Sequence, residues 1–369
     1  MANENENRPE WVPKDASKAY TTRVMNGVQS GDNTSASFRQ SSNRKKRTLQ
    51  DYVDGVRNND RTVLAKAITL IESNAAKHID ASQRLLNELL PYTGNSLRLG
   101  ITGVPGAGKS TFIEAMGSYL CEQGHKVAVL AVDPSSSITG GSILGDKTRM
   151  ETLSRNPRAF IRPSPSAGTL GGVTRKTRET MLLCEAAGYD VIIVETIGVG
   201  QSEVAVRSMV DMFTLLVLTG AGDDLQGMKK GVMELADLLV VNKADGHNKQ
   251  AAEAARQEYN QIVHYLRPAT EGWETKALTC SALHNVNVDK IWEQMRDFEA
   301  TTKQSGVFEK RRKAQTKEWI YAMIKEQLET NFFNHPIVKE KMPLLEQNVV
   351  EGKQPVTQAV RELFLEYNK

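Results

Sequence analysis

The stretch GVPGAGKST, residues 103–111, fits the pattern G-x-x-x-x-G-K-[ST]. Residues 97–102 before it, LRLGIT, form a short apolar run typical of a buried strand, and residues 112–121 after it carry apolar side chains at helical spacing. The glycines therefore lie between a strand and a helix, which is the setting of a phosphate-binding loop. A glycine-rich turn that binds nothing is the alternative, but it would make the lysine, the hydroxyl and this setting coincidences.

Several groups in this stretch suit a nucleotide. Glycine lets backbone N–H groups curl around phosphate oxygens, and the start of a helix adds a partial positive charge. We expect Lys109 to reach the β- and γ-phosphates and Ser110 to ligate Mg²⁺. The predicted nucleotide-binding residues of the loop are Gly103, Val104, Pro105, Gly106, Ala107, Gly108, Lys109, Ser110 and Thr111.

A second motif indicates which base is bound. Residues 242–245 read N-K-x-D and follow a run typical of a buried strand. The Asp245 carboxylate can accept two hydrogen bonds, which matches the paired donors of guanine and leaves adenine without a match. We expect Asn242 and the stem of Lys243 to hold the ring and the loop. Alone, such an element is weak evidence, but downstream of a phosphate loop it favours guanine.

The sequence CSAL, residues 280–283, bears on the same base. It resembles the short S-A element with which GTP-binding proteins complete the guanine pocket. A plain strand end is the alternative for these residues, and the sequence leaves it open. On the first interpretation, the further base-binding residues are Ser281, Ala282 and Leu283.

A third motif concerns the metal and the hydrolysis step. The sequence VIIVETIG, residues 191–198, occupies the place where GTPases usually carry D-x-x-G, with Glu195 in place of the aspartate. A carboxylate near the γ-phosphate still results, since Mg²⁺ binds carboxylates directly or through water. Gly198 can offer its N–H to the γ-phosphate, so loss of that phosphate would release the following loop.

The residue after Gly198 bears on the rate of hydrolysis. A Ras-like enzyme would place its water-orienting glutamine there, but this chain has Val199, and Gln201 comes two residues late. We therefore expect slow hydrolysis by the protein alone, with a partner or another loop completing the site.

Two aspartates are further candidates for the metal side of the site. Asp133 ends the run VAVLAVD, and Asp146 lies in the sequence ILGDKTR. Aspartate beside glycine and serine is usually a turn or helix-cap residue, which is the alternative for both. In a site that holds Mg²⁺ and a triphosphate, we favour contacts with metal and water. The predicted metal ligands are thus Ser110, Asp133, Asp146 and Glu195, and the predicted catalytic residues are Lys109, Asp133, Glu195 and Gly198.

Hydrophobic patterning divides the chain into four parts. Residues 1–46 are polar and charged, which predicts a disordered tail. Residues 47–95 carry apolar side chains at helical spacing, which predicts a helical module. Residues 96–298 alternate strands and helices, which predicts an α/β domain with a mainly parallel sheet covered by helices on both faces. Its strand-like runs are residues 97–102, 126–133, 159–162, 190–196, 212–219 and 238–243.

The fourth part, residues 299–369, is predicted to be helical. Pro336 and Pro343 are expected to interrupt the helices. An apolar stripe in this part would either dock on the α/β domain or form a dimerisation arm. The stripe consists of Trp319, Ile320, Met323, Ile324, Leu328 and Phe332.

Composition argues against several classes of protein. The net charge of +3 is too small to argue for nucleic acid or an acidic membrane surface as a partner. Cys121, Cys184 and Cys280 are far apart in sequence and fit a reducing compartment rather than a disulfide framework or a zinc site. No stretch approaches the roughly 20 apolar residues that cross a bilayer. The first residues lack the apolar core of a secretory signal, so the expected location is the cytoplasm.

Taken together, the motifs resemble those of the MeaB/ArgK type of GTPase, the group that accompanies methylmalonyl-CoA mutase and related cobalamin-dependent acyl-CoA mutases. The resemblance extends from about residue 48 to the C-terminus, and its motifs are long and specific. The segments that carry it are GVPGAGKST, AVDPSSSITGGSILGDKTRM, VETIGVGQSE, TGAGDDLQGMKKG and VNKAD.

This resemblance implies a P-loop NTPase with a SIMIBI-type G domain, with GTP, GDP and Mg²⁺ as ligands and with a homodimer formed through the C-terminal helices. It also implies a chaperone that gates adenosylcobalamin delivery to the mutase and protects or reactivates that enzyme. Residues 198–203 and 223–230 would be switches. Within the second switch, Gln226, Lys229 and Lys230 would contact the mutase or be ordinary helix-surface residues, and the sequence leaves both possibilities open.

Two rival functions come from other classes. A metallochaperone GTPase for metalloenzyme maturation would share the fold but should show a His-rich tract or clustered cysteines, whereas the six histidines here are scattered from His78 to His335. An ATP-dependent kinase linked to amino-acid transport is the other rival, and Asp245 argues against it by selecting guanine.

Overall fold

A computed structural model describes residues 47–73, 75–132, 150–163, 170–196, 202–219 and 230–368. The strands in these ranges are β1 (Leu97–Gly103), β2 (Val127–Val132), β3 (Ala159–Arg162), β4 (Val191–Thr196), β5 (Met212–Val217), β6 (Leu238–Val241) and β7 (Lys276–Thr279). They form one parallel sheet in the order β3-β2-β4-β1-β5-β6-β7. The prediction of an α/β fold with a mainly parallel sheet is therefore confirmed.

Helices precede, cover and follow the sheet. No helix within the described ranges is long and apolar enough to span a membrane. The helices are α1 (Leu49–Arg57), α2 (Arg61–Glu72), α3 (Ala76–Leu89), α4 (Lys109–Glu122), α5 (Glu151–Arg155), α6 (Leu170–Ala186), α7 (Ser202–Arg207), α8 (Lys230–Met233), α9 (Lys249–Tyr265), α10 (Val288–Gln304), α11 (Val307–Asn334), α12 (Pro336–Val350) and α13 (Val356–Tyr367).

The central strand β1 is the point at which the direction of strand addition changes. β4, β2 and β3 lie on one side of β1, and β5, β6 and β7 lie on the other. Leu97 of β1 is opposite Val191 of β4, and Leu99 of β1 is opposite Met212 of β5. Ligands of such sheets bind outside the carboxyl ends of the strands at this switch point. Topology alone therefore places a site at the loop that follows β1.

The inner strands are buried on both faces, which explains their continuous Val, Ile and Leu runs. On one face, Phe112 of α4 and Met295 of α10 belong to the same buried cluster. On the other face, Leu64 and Ile68 of α2 pack in a cluster with Met181 of α6. The N-terminal helices thus complete the core of the α/β domain, because their apolar stripe covers one face of the sheet.

A side chain covers the outer backbone of the edge strand β7. The backbone N–H of Ala277 donates to Asn260 Oδ1 at 2.7 Å, and Asn260 Nδ2 donates to the Ala277 carbonyl at 3.3 Å. An edge strand with free backbone groups is a template for pairing with another chain. The amide of Asn260 occupies both groups of this residue and so opposes such pairing.

Three features differ from the sequence predictions. β7 was not among the predicted strands, because it has four residues and only Ala277 among them is buried. Pro336 starts α12, where a missing N–H has no helical partner to lose, but Pro343 lies inside that helix and does not interrupt it. Buried Val338 and Leu345 pack against α13 and stabilise α12 across Pro343. The predicted boundary between residues 298 and 299 lies within the continuous helix α10.

The apolar stripe of the C-terminal part does not dock as a whole on the α/β domain, because three of its members are exposed and Phe332 packs against α13 instead. Ile320 is 54% exposed, Ile324 is 50% exposed and Leu328 is 62% exposed. All three lie on α11, whose first turns are instead held by buried polar contacts. This part of α11 presents an uncovered apolar face.

A buried polar network closes the amino end of the sheet. Glu185 of α6 accepts hydrogen bonds from Arg98 Nε at 2.8 Å, from the Ser96 hydroxyl at 2.5 Å and from the Gly94 N–H at 2.9 Å. Burial alone would raise the pKa of Glu185, but the charge and hydrogen bonds of Arg98 outweigh it and hold this pKa below its usual range. The carboxylate is therefore ionised and paired at neutral pH.

A second carboxylate at this end of the sheet, Asp211, binds a side chain of α11. Arg312 donates to both oxygens of Asp211, at 2.8 Å from Nε and 2.7 Å from Nη2, and also to the carbonyls of Gly94 and Ser96. Burial lowers the pKa of Arg312, but its hydrogen bonds to Asp211 dominate and the net shift is upward. The guanidinium therefore joins the start of α11 to the start of β5.

We expect Glu185→Gln to lower the free energy of unfolding at pH 7 by about 3 kcal/mol, because it leaves the partly buried Arg98 without its charge partner. Since the pKa of Glu185 is lower in the folded state, its stabilisation is present above the unfolded pKa and is lost as pH falls through the folded value. Urea denaturation of both proteins at pH 7 and at acidic pH measures this. If the difference in the free energy of unfolding between wild type and variant did not become smaller at acidic pH, the ionised pair of Glu185 with Arg98 would be contradicted.

Candidate functional site

The loop between β1 and α4 carries the first motif at the switch point of the sheet. Gly106 and Gly108 have φ angles of +81° and +84°, which L side chains rarely adopt, and Gly108 caps α4. Lys109 is the first residue of α4, and its Nζ donates to the Gly103 carbonyl at 2.9 Å. The loop therefore folds back on its own first residue and directs the start of a helix to the carboxyl end of the sheet.

Two glycines of this loop are required by close approach of neighbouring groups. A Cβ at Gly103 would lie 2.5 Å from the carbonyl oxygen of Leu216 in β5. A Cβ at Gly108 would lie 2.8 Å from Asn242 Nδ2. Neither distance is compatible with a side chain, so these positions connect the loop tightly to β5 and to the loop after β6.

Asn242 joins three loops that are far apart in the chain. Its side chain is buried, its Nδ2 donates to the Ala107 carbonyl at 2.8 Å, and its Oδ1 accepts from the Ala282 N–H at 3.2 Å. The loops that follow β1, β6 and β7 are thereby held by one amide group. The structure thus brings the phosphate-loop motif, the N-K-x-D motif and the S-A element into one site.

The N-K-x-D loop has a backbone shape that brings Asp245 against the S-A element. Lys243 has a φ of +61°, in the left-handed region, and the Ala244 N–H donates to the Cys280 carbonyl at 2.9 Å. The Ser281 hydroxyl then donates to Asp245 Oδ2 at 2.5 Å. The orientation of the Asp245 carboxylate is therefore set by a neighbouring hydroxyl.

Residues 280–283 form a turn rather than a plain strand end. β7 stops at Thr279, and Ser281 pairs with Val286 through two backbone hydrogen bonds that close a short loop. Ser281 is buried within this turn, whereas Leu283 is 72% exposed at its tip. An exposed leucine beside the N-K-x-D motif provides an apolar surface against which a flat ring can stack.

Glu195 and Ser110 are two oxygen donors on the metal side of the site. Glu195 is buried near the carboxyl end of β4, opposite Ile101 of β1 and Ala131 of β2. Ser110 lies in the first turn of α4. A hydroxyl and a carboxylate are oxygen ligands of the kind that Mg²⁺ prefers, so this donor set fits the ion. Among the His, Cys, Asp and Glu side chains that the structure describes, no group of three or more is arranged to hold a metal.

Several predicted residues lie outside the described residues. These are Asp133, Asp146, Gly198, Gln201, Gln226 and Lys229, together with the side chain of Lys230. Their roles stay predictions. The remaining predicted residues, from Gly103 to Thr111 and at the ends of β4, β6 and β7, all fall at the carboxyl edge of the sheet.

Two polar pairs at this edge were not found from the sequence. The hydroxyls of Thr102 and Thr196 share a buried hydrogen bond of 2.6 Å, which joins the ends of β1 and β4. Asn248 donates to the Lys243 carbonyl at 2.7 Å and accepts from the Thr219 hydroxyl at 2.9 Å. Neither set of contacts belongs to a sequence motif. Thr102 and Thr196 are far apart in the chain, and asparagine is common in turns such as the one that carries Asn248.

Comparison with known proteins agrees with this arrangement. A family model described as "Methylmalonyl Co-A mutase-associated GTPase MeaB" matches residues 64–336. The GTPase ArgK of Escherichia coli (strain K12) is 52% identical over 293 residues, which are 79% of this chain and 87% of that protein. The protein named "Methylmalonic aciduria type A homolog, mitochondrial" of Mus musculus is 44% identical over 321 residues, which are 84% of this chain and 77% of that protein.

A solved structure extends the comparison to the fold. The crystal structure of a protein described as "LAO/AO transport system kinase" is 41% identical and superposes with a TM-score of 0.70. The match covers 87% of this chain and 98% of that one. Sequence and fold therefore agree over the α/β domain and the helices that flank it.

We expect Gly108→Ala to lower the free energy of unfolding more than Gly106→Ala does. Both variants place a side chain at a positive φ, which costs about 1 kcal/mol. Only the Gly108 variant also displaces the Asn242 amide and breaks its bond to the Ala107 carbonyl, which adds roughly 1–2 kcal/mol. Gly106→Ala is the matched control, because a Cβ at Gly106 meets no atom within 4 Å. Urea denaturation of the two variants without nucleotide measures the difference. Equal losses would show that Asn242 does not depend on Gly108.

Proposed function

Because the chain belongs to the family of methylmalonyl-CoA mutase-associated GTPases, we propose that it is a GTP-hydrolysing chaperone of a cobalamin-dependent acyl-CoA mutase, such as methylmalonyl-CoA mutase. In this proposal, the protein gates adenosylcobalamin delivery to the mutase and protects or reactivates that enzyme. The nucleotide part of the proposal is carried by one observation, the junction of three loops at Asn242. The client part is supported by the association of this family with methylmalonyl-CoA mutase.

The proposed position of GTP follows from this junction. The guanine ring lies between the stem of Lys243 and the turn that carries Ser281, Ala282 and Leu283, with its two donors directed at the Asp245 carboxylate. The phosphates lie along the backbone of residues 103–111, where the start of α4 and the charge of Lys109 favour anions. Asn242 holds the two halves of this site at a fixed separation.

The proposed metal ligands are Ser110 and Glu195, with Asp133 and Asp146 added from the sequence. Bound Mg²⁺ would neutralise charge on the phosphate oxygens during transfer to water. Lys109 supplies a second positive charge next to the same phosphates, and Gly198 would offer an N–H to the γ-phosphate. Val199 stands where a water-orienting glutamine is found in Ras-like enzymes, so we infer that hydrolysis by the protein alone is slow.

A kinase that uses ATP is the second candidate function. The observation that favours it is the description of the similar solved structure as a transport system kinase. Asp245 opposes this candidate, because a carboxylate accepts from the paired donors of guanine and finds no such pair on adenine, and Ser281 holds this carboxylate in place. Binding of ATP more tightly than GTP would favour the kinase.

We place the protein in the cytoplasm in this proposal. Cys121, Cys184 and Cys280 are all buried free thiols, which is typical of a reducing compartment. The relative from Mus musculus is named as mitochondrial, and that location is a property of that protein.

The test of the proposed function is GTP turnover by the purified protein, alone and with methylmalonyl-CoA mutase. We expect slow turnover alone, at least about tenfold stimulation by the mutase, and weaker binding of ATP than of GTP. Lys109→Ala should reduce turnover by about 100-fold while the circular dichroism spectrum is retained. Rapid turnover that the mutase leaves unchanged would argue against the chaperone role, and wild-type turnover in the Lys109 variant would argue against the phosphate loop.

We further propose that the protein is a homodimer formed through α11–α13. Phe308 and Gln315 lie on the buried face of α11, whereas Ile320, Ile324 and Leu328 form an exposed apolar stripe. The step from Gln315 to Ile320 rotates the helix by about 140°, so the stripe faces away from the α/β domain. Contiguous exposed apolar surface of this kind usually marks an interface, and a second copy can pair it with the same stripe.

The dimer is tested by replacing apolar residues of the stripe with charges. We expect the double variant Ile324→Glu, Leu328→Glu to be a monomer by size-exclusion chromatography with light scattering, because carboxylates cannot be buried unpaired in the interface. Ala322→Glu, on a different face of α11, is the matched control and should stay dimeric. A double variant with the mass of the wild type would place the interface elsewhere.

A further inference from the structure

Three helices meet at the carboxyl end of α7, in a polar contact that neither the sequence motifs nor the nucleotide site accounts for. Arg178 of α6 donates from Nη2 to the Ser208 carbonyl at 2.7 Å and to the Ser208 hydroxyl at 2.9 Å. Gln315 of α11 donates from Nε2 to the Val210 carbonyl at 2.8 Å and to the Arg207 carbonyl at 3.4 Å. All the acceptors belong to the segment that leaves α7 and enters β5.

The two donor residues, Arg178 and Gln315, are buried and are hydrogen-bonded to each other. Arg178 and Gln315 are each less than a tenth exposed, and Arg178 Nη1 donates to the Gln315 backbone carbonyl at 3.5 Å. Burial lowers the pKa of Arg178 to about 10, so the side chain is still charged at neutral pH. A buried charge is stabilised when it faces the carbonyl end of a helix, which carries partial negative charge. The contact therefore holds the end of α7 in one position.

α7 and the residues that follow it pack directly against β1. A Cβ at Gly100 would lie 3.1 Å from Val206 Cγ1 of α7 and 2.9 Å from Val210 Cγ2. Gly100 is three residues before Gly103, where the phosphate-loop motif begins. α7 also contacts β4, whose last residue, Thr196, lies six residues before the start of α7. A displacement of α7 would therefore reach both strands whose carboxyl ends carry the candidate site.

We propose that Arg178 and Gln315 are positioning residues for nucleotide hydrolysis. They fix the end of α7 to α6 and α11, and α7 in turn fixes β1 and β4 relative to the bound nucleotide. Neither residue touches the nucleotide. Their loss should change the rate of hydrolysis more than the affinity for GDP, because a small misplacement of groups near the γ-phosphate is felt in the transition state. This inference rests on the proposed GTPase function.

The test compares Arg178→Met and Gln315→Leu with the wild-type full-length protein. We measure GTP turnover at saturating nucleotide, GDP affinity by titration, and melting temperature, all with the assays run well below the lowest melting temperature. We expect turnover to fall about tenfold in both variants, with GDP affinity within about twofold of wild type. Arg178→Lys keeps the charge and one donor nitrogen, which is the number that bonds Ser208, and should recover part of the lost turnover.

A matched control separates positioning from simple loss of stability. Arg312→Gln removes several hydrogen bonds, most of them partly buried, from the neighbouring turn of α11, but the partners of Arg312 are Gly94, Ser96 and the Asp211 side chain rather than the end of α7. We expect it to lower the melting temperature and to leave turnover within about twofold of wild type. If turnover falls in proportion to melting temperature across all of these variants, Arg178 and Gln315 are merely structural and the inference is wrong.

Two further outcomes are distinguishable. Wild-type protein that does not hydrolyse GTP in the presence or absence of the mutase would defeat the proposed function itself. Hydrolysis by the wild type together with unchanged turnover in Arg178→Met and Gln315→Leu would defeat only the positioning role. If Arg178→Met does not fold, Ser208→Ala removes a single acceptor of Arg178 and should lower turnover by about twofold to threefold, and no change would again refute the role.

Discussion

The side chain of Asn242 is the contact on which the arrangement of the site depends. Its amide donates to the Ala107 carbonyl through Nδ2 and accepts from the Ala282 N–H through Oδ1, so one short side chain bonds two loops with two separate atoms. An aspartate would lack the donor, and an apolar residue would leave both buried backbone groups unpaired. Gly108 has no side chain because the Asn242 amide occupies that space. One buried group thereby fixes the separation of two motifs that are 135 residues apart in the chain.

The two ends of the sheet are built from different chemistry. At the carboxyl end, glycines and short polar loops leave backbone N–H groups and the start of α4 accessible. At the amino end, the ion pairs Arg98–Glu185 and Arg312–Asp211 lie at the starts of β1 and β5. The second pair binds α11 to the sheet. A buried ion pair adds little net stability compared with apolar residues of similar volume, but breaking one is costly. We interpret the Arg312–Asp211 pair as fixing the position of α11 rather than as the source of its binding energy.

The sequence predicted the strands and the motifs, which depend on neighbouring residues, but it could not predict contacts between residues that are far apart in the chain. Runs of Val, Ile and Leu identify the inner strands because both faces of those strands are buried, and β3 has the predicted bounds. The motifs could be placed because each follows a strand, and parallel strands end at one edge. β7 gave a weak signal because it is short and mostly not buried. The partners of Gln315 lie about 105 residues away, and no periodicity reports such contacts.

One helix serves two parts of the molecule. α11 has 28 residues, and its first turns carry Arg312 and Gln315, which hold it against the start of β5 and the end of α7. Trp319, whose ring lies 5.7 Å from the Arg178 guanidinium, marks the end of this docked portion. Beyond it, Ile324 and Leu328 are exposed on the other face. Because the hydrogen bonds of a helix are continuous, a partner that binds the distal portion acts on the same rigid element that holds α7.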